Sequence, residues 1–248
     1  MSETRKSIHV IGAGPAGLMA AEVLAQAGAA VTVQDRMPSA ARKFLMAGRG
    51  GLNLTHSEPP ERFGTRYGPA AEAVAPWLVA LSPADLIAWA EGLGQETFVG
   101  TSGRVFPKAM KASPLLRSWL GRLNELGVEI RTRSRWTGWA DGALRFETPE
   151  GERLERPDAV VLALGGASWP RLGSDGAWAG WIEDVEPFRP ANGGFDVSWP
   201  PTFADRFAGH PLKSAGFSAP AFGSLWPTEA RTSPRARIFS SEGSSWTR

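Results

Sequence analysis

Residues 7–17 read Ser7-Ile8-His9-Val10-Ile11-Gly12-Ala13-Gly14-Pro15-Ala16-Gly17, and this stretch decides the fold. A short apolar run that ends in glycine reads as a buried parallel strand. Leu18 to Ala27 follows, rich in the helix formers Ala, Leu, Met and Glu, and Gly28 falls where a C′ residue belongs. Ala30-Val31-Thr32-Val33-Gln34 then reads as a second strand, closed by Asp35. Strand, glycine turn, helix, strand and acid occur in order, which makes a dinucleotide-binding βαβ unit. Gly12 allows the tight turn out of the strand. Gly14 lacks a Cβ, so the backbone can approach a pyrophosphate. Gly17 lets the helix pack closely. The helix N-terminus offers free N–H groups and the positive end of its dipole to phosphate. Gly12, Ala13, Gly14, Pro15, Ala16 and Gly17 are therefore expected to form the phosphate cradle. Asp35 stands where an acid can accept a hydrogen bond from a ribose 2′-OH, and Arg36 beside it is counted with the same contact. The motif alone leaves FAD and NAD open. The acid argues against NADP, whose 2′-phosphate it repels.

A second glycine cluster, Arg42-Lys43-Phe44-Leu45-Met46-Ala47-Gly48-Arg49-Gly50-Gly51-Leu52-Asn53-Leu54-Thr55-His56, comes soon after. Such a loop can present backbone N–H groups and cations to a diphosphate or a flavin. Taken by itself it reads equally well as a solvated basic loop. Together, Gly12 to Gly17, Arg42-Lys43 and Gly48-Arg49-Gly50-Gly51-Leu52-Asn53-Leu54-Thr55 resemble the BaiN/YhiN-type NAD(P)/FAD-dependent oxidoreductases. Many members of that family read G-R-G-R-C-N-x-T in the second motif. Gly51-Leu52 stands here in place of Arg-Cys, which resembles a cysteine-free subgroup of flavoproteins, so no thiol role carries over. The resemblance implies that Arg42, Lys43, Gly48, Arg49, Gly50, Gly51, Asn53 and Thr55 bind FAD, with NAD(P)H as the electron donor.

Further along, Pro83 to Leu93 reads as a short helix and Ser102 to Pro107 as a turn and an extended piece. Ser113 suits an N-cap and Pro114 the first helical position. Leu115, Leu116, Trp119, Leu120 and Leu123 make an apolar stripe that Gly127 ends. After a strand at Val128 to Arg131, three hairpin strands follow, at 136–140, 143–147 and 152–156, joined by turns at Asp141-Gly142 and Pro149-Glu150-Gly151. Asp158 to Leu164 reads as a continuous apolar strand buried on both faces, ending in Gly165-Gly166. The likeness to the family extends through Gly165-Gly166-Ala167-Ser168-Trp169-Pro170 and Gly173-Ser174-Asp175-Gly176. Gly165 and Gly166 are expected to let the backbone pass close to the adenosine–diphosphate side of the cofactor. The expected fold is thus α/β: an FAD-binding Rossmann-like domain of the two-dinucleotide-binding type with a β-meander crossover, over residues 1–187. The start of an inserted substrate-side domain is expected over 188–213 and an irregular tail over 214–248. The resemblance covers the N-terminal half of the family fold, so a truncated or frame-shifted member with impaired turnover is expected. An NAD-binding Rossmann protein without flavin, and a non-catalytic remnant, are the alternative readings.

Composition narrows the chemistry. The chain has 248 residues, 42% hydrophobic and 21% charged, which suits a globular protein with a sizeable core. Lys and Arg number 27 against 25 Asp and Glu, a balance that gives no electrostatic case for nucleic acid. There is no cysteine, which excludes disulfides, thiolate nucleophiles and cysteine-ligated metal, so redox chemistry must sit on a bound cofactor. The apolar stretch from Ile8 to Val33 is broken by glycines, Pro15 and Glu22 and makes a poor membrane span. A cytoplasmic protein acting on a small molecule, with neither nucleic acid nor membrane as partner, is expected. No catalytic acid or base stands out. His9 reads as structural, His56 as a surface residue beside the second motif, and His210 falls in the insert.

Overall fold

The computed structural model describes residues 5–47, 51–185, 200–207, 211–212 and 236–237, and it divides into two units, residues 1–188 and 189–248. The first unit is built on four parallel strands. β1 (Ser7–Ile11) lies between β2 (Ala30–Gln34) and β10 (Ala159–Leu162), and β6 (Glu129–Arg131) extends the sheet beyond β2, giving the order β10-β1-β2-β6. Parallel neighbours need crossovers. α1 (Pro15–Gln26) makes the first, and α6 (Ala112–Glu125) precedes β6. The strand side chains alternate between two covered faces. Val10, Val31 and Val33 pack with Leu18, Ala21 and Ala25 of α1 and with Leu115, Trp119 and Leu123 of α6. Ile11 packs on the other side with Trp136, Leu144 and Phe146.

Those last residues belong to the meander of β7 (Arg135–Ala140), β8 (Ala143–Thr148) and β9 (Gly151–Glu155), an antiparallel sheet that the chain crosses between β6 and β10. Asp141 and Gly142 both take positive φ, 50° and 74°, as a two-residue turn matched to the strand twist demands. A smaller sheet, β3-β5-β4, joins β3 (Thr55–His56), β5 (Arg104–Pro107) and β4 (Thr97–Val99).

The expected elements recur with four corrections. α1 starts at Pro15 rather than Leu18, because proline is preorganised for a first helical position and Gly14 takes the N-cap. α6 starts at Ala112 with Lys111 at its N-cap, so Ser113 lies inside the first turn and does not cap it. Arg42 to Ala47, read as loop, form a helical turn, α2. β10, expected to be buried on both faces, is an edge strand among the described residues, with Val160 and Leu162 each 37% exposed.

After the short helix α3 (Pro60–Thr65), two further helices, α4 (Ala71–Ala80) and α5 (Pro83–Gly92), fall in a stretch, Gly68–Gly92, that by length and composition alone is apolar enough to cross a membrane. Leu81 is extended between them, and Ser82 and Asp85 form a reciprocal capping box that opens α5. Each ten-residue helix is about 15 Å long, half the hydrocarbon thickness of a bilayer. Of the second unit, α7 (Pro201–Phe207) is described, together with an antiparallel pair, β11 (Pro211–Leu212) with β12 (Ala236–Arg237).

Candidate nucleotide cleft

The carboxyl ends of β1, β2 and β10 open into a cleft of about 410 Å³. In open α/β sheets this is the edge where ligands bind, because the helix N-termini and the turn backbones converge there. Its floor is the glycine turn. Gly12 has φ +109°, and a Cβ on it would stand 2.3 Å from the Ala163 carbonyl oxygen of the strand end beside it. A Cβ on Gly17 would stand 1.8 Å from the Gly12 carbonyl oxygen. Both glycines are required by the chain itself. Gly14 differs: nothing lies within 4 Å of its Cβ position. The first helical hydrogen bond of α1 runs from Leu18 N–H to the Gly14 carbonyl at 2.9 Å, so the N–H groups of Ala16 and Gly17 precede the ladder.

Asp35 faces this turn from the end of β2. Its Oδ2 accepts the Ala13 N–H at 2.7 Å and its Oδ1 accepts the Met37 N–H at 2.8 Å. Burial pushes its carboxyl above the ordinary carboxylate range, against the pull of those two N–H groups and of Arg36. The acid thus fixes the glycine turn, a role its sequence position did not announce. A carboxylate has about four lone-pair sites, so each oxygen keeps one for a ligand hydroxyl.

The remaining wall comes from the loop after β10, residues 165–178. Gly165 lines the cleft and accepts the Trp178 indole N–H at its carbonyl oxygen (3.1 Å), while the Gly166 carbonyl accepts the Ser174 hydroxyl at 2.8 Å. Lys43, in the first turn of α2, donates to Ser168 Oγ at 2.7 Å and to Ser174 Oγ at 3.3 Å. Arg36 pairs with Asp175, Nη1 to Oδ2 at 2.8 Å, and that hydrogen bond holds the Asp175 carboxyl below its usual range. Arg135 pairs with Glu147 at 3.1 Å. Arg42 is the cation of the cleft wall with no partner among the described residues, and its Nε is buried without a hydrogen bond.

The structure therefore gathers Gly12, Ala13, Gly14, Pro15, Asp35, Arg36, Arg42, Lys43 and Gly165 around one cleft. Gly48, Arg49 and Gly50 lie outside the described residues. Ala16, Gly17, Gly51, Asn53, Thr55 and Gly166 are not among the lining residues. Gly51, at φ +104°, comes close to Met110, Asn53 is exposed, and Thr55 is buried in β3 opposite Val105. His56 accepts the Glu58 N–H at Nδ1 (3.1 Å), so its Nε2–H donates to the Ser102 carbonyl (2.9 Å), and the ring braces the neighbouring turn. Ser134, Trp136, Asp175, Trp178 and Trp181 also line the cleft without having been expected as site residues. Only Asp175 sat in a motif that the sequence marked, and nothing local there names Arg36 as its partner. Among the described residues no group of three or more His, Asp or Glu could hold a metal ion.

Comparison with solved structures finds the same fold. The 3-ketosteroid-Δ4-(5α)-dehydrogenase from Rhodococcus jostii RHA1 superposes with a TM-score of 0.50 at 17% identity, over 67% of this chain and 47% of that one. The open conformation of a flavocytochrome c3 fumarate reductase gives 0.50 at 24% identity, over 66% of this chain and 34% of that one. The chain thus spans less than half the length of either structure. A comparison with curated proteins finds no match. The family of the HI0933-like protein Rossmann domain matches residues 6–198, well over half of the 248 residues and the whole of the sheet that carries the cleft. By that match the chain belongs to the HI0933-like Rossmann domain family, on an α/β fold with a parallel sheet.

Proposed function

We propose that the chain is a flavoprotein of the oxidoreductase type that binds FAD by its ADP half in this cleft. One observation carries the reading. Three glycines shape the turn, and packing explains two of them, Gly12 and Gly17, whose Cβ positions the chain itself fills. The space beside Gly14 is open, at the N-terminus of α1, where a pyrophosphate needs backbone to come close. Arg42 adds a cation with no partner among the described residues. Asp35 keeps lone pairs for a ribose hydroxyl. The residues present fit the group.

Bound FAD would supply hydride and electron transfer, and the protein supplies binding, orientation and electrostatics. Gly14 and the first turn of α1 hold the diphosphate, Arg42 and Lys43 balance its charge, and Asp35 and Arg36 sit at the ribose. A nicotinamide nucleotide is the electron donor and a small molecule the substrate in this reading, which draws on the resemblance of the second glycine motif. An absorbance spectrum of the purified protein tests it. Flavin bands, retained on gel filtration or restored by added FAD, are the expected result. Gly14→Val should abolish FAD binding followed by flavin fluorescence and leave the melting temperature near that of the parent. Equal affinity in parent and variant sinks the assignment, and an NAD-binding protein without flavin would show no bands at all.

A further inference from the structure

We propose that Asp175 sets the nucleotide specificity of the cleft, excluding a 2′-phosphorylated nucleotide by neutralising Arg36. The inference rests on the nucleotide reading above. Arg36 directly follows the acid at the end of β2. A guanidinium near that position can grip a 2′-phosphate with two parallel hydrogen bonds. Here its Nη1 is given to Asp175 Oδ2 at 2.8 Å, in a pair whose side chains are 28% and 36% exposed. Asp175 is held at both ends, since its Oδ1 accepts the Ala177 N–H at 3.1 Å. The approach of its loop is also fixed. Gly173, at φ +93°, rests on Met37, and a Cβ there would stand 2.8 Å from Met37 Cγ. Glycine at 173 thus brings Asp175 down onto the end of β2.

The charges at the ribose end decide the outcome. Asp35, Arg36 and Asp175 all line the cleft. A 2′-phosphate brings about −1.5 to −2 of charge. It would meet two carboxylates and one arginine already paired with the second of them. A free 2′-hydroxyl meets no such penalty and finds an acceptor in Asp35. Asp175 acts through Arg36, so it is a positioning residue whose loss frees the cation.

The test uses calorimetric titration of the whole chain with two probes, ADP and adenosine 2′,5′-bisphosphate. In the parent, ADP binds and the bisphosphate binds more weakly. Asp175→Asn should raise the affinity for the bisphosphate relative to that for ADP about tenfold, the scale of one charge-assisted hydrogen bond. Adding Arg36→Ala should cancel the gain, and Asp175→Glu should keep the parental preference. Asp175→Ser, which retains an acceptor for Ala177, replaces the asparagine variant if that one does not fold. An unchanged ratio of the two affinities in the freed-Arg36 variants overturns the role of Asp175 and leaves the nucleotide reading intact. A parent that binds neither FAD nor ADP overturns both.

Discussion

Glu22 carries a charge into the middle of the apolar face of α1 and is 3% exposed. Such a group survives only where donors replace its water. Trp119 Nε1 donates to its Oε2 at 2.7 Å and Trp89 Nε1 to the same oxygen at 3.1 Å, while Arg122 reaches Oε1 at 3.0 Å. Two indoles, edge to face with centroids 4.8 Å apart, and one guanidinium thus converge on one acid and bind α1, α5 and α6 together. Glu22→Ala takes the acceptor from both indoles, while Arg122 keeps its hydrogen bond to the Gly92 carbonyl, so it should cost about 3 kcal/mol, measured by urea denaturation. A loss under about 1 kcal/mol would show that water satisfies the indoles instead. His9 is buried on the opposite face of the sheet. Arg153 and Ser134 both donate to Gln34 Oε1, at 3.0 and 2.6 Å, which turns the Gln34 amide nitrogen toward His9 Nδ1 at 3.4 Å. Nδ1 must then accept, and the ring stays neutral. Burial accordingly holds its pKa below 6.5, with Glu155 and Glu129 opposing and Arg131 and Arg153 assisting. The unfolded chain binds the extra proton first, so stability is full above pH 6.5 and falls as pH drops from there toward the lowered value. Melting temperature followed from pH 7.5 to 5 should show that fall, and His9→Gln should flatten it. Neither partner set was legible beforehand, because Glu22 and Trp119 are 97 positions apart and Gln34 and Arg153 are 119 apart.

At the scale of elements, legibility followed periodicity. β1, α1, β2 and the meander announce themselves by apolar runs, by alternation and by turns such as Asp141-Gly142, and all of them formed. The segment from 57 to 82 carried no reading, because its alanine-rich helix α4 has no buried residue and its apolar side chains do not form a clear stripe: Trp77 and Val79 are 69% and 85% exposed. Its end is nonetheless chemically marked by the capping box at Ser82. Ser82→Ala removes an acceptor for Asp85 N–H and should cost about 1 kcal/mol, seen as a lowered denaturation midpoint with unchanged m-value. The glycine turn allows a sharper test, because its three positions differ in what surrounds them. Gly12→Ala and Gly17→Ala drive a methyl into backbone and should yield little folded protein by far-UV circular dichroism. Gly14→Ala meets open space at φ −80° and should fold like the parent. If all three behaved alike, the division between packing glycines and a ligand-facing glycine would be wrong.

The cleft is a property of the whole first unit, since no one segment encloses it. Its walls come from the β1–α1 turn, the end of β2 with α2, the start of β7 near Trp136, and the loop after β10. Those segments lie far apart in the chain and are tied across the opening by a few side chains, Lys43 to Ser168 and Ser174 and Arg36 to Asp175, while Trp178 closes the loop on itself at the Gly165 carbonyl. Contacts of this kind are partly exposed and individually weak. Trp169 adds strain, holding φ +70° in the left-handed region that favours glycine while 52% exposed. The loop should therefore open at a free energy well below that of global unfolding, while β1 and β2 stay protected. A ligand that touches the turn, β2 and the loop together binds only the assembled cleft, so its binding energy adds to the stability of the entire unit. At one hundred times its dissociation constant, FAD should raise the unfolding free energy by about 2.7 kcal/mol. FMN, which lacks the AMP moiety and so has neither the adenosine nor the diphosphate, should give no comparable rise. Hydrogen exchange resolved by segment should show the same ligand slowing residues 165–178 and 35–47 more than α5. Equal stabilisation by FMN, or protection confined to the glycine turn, would mean that the loop after β10 is no part of the binding wall.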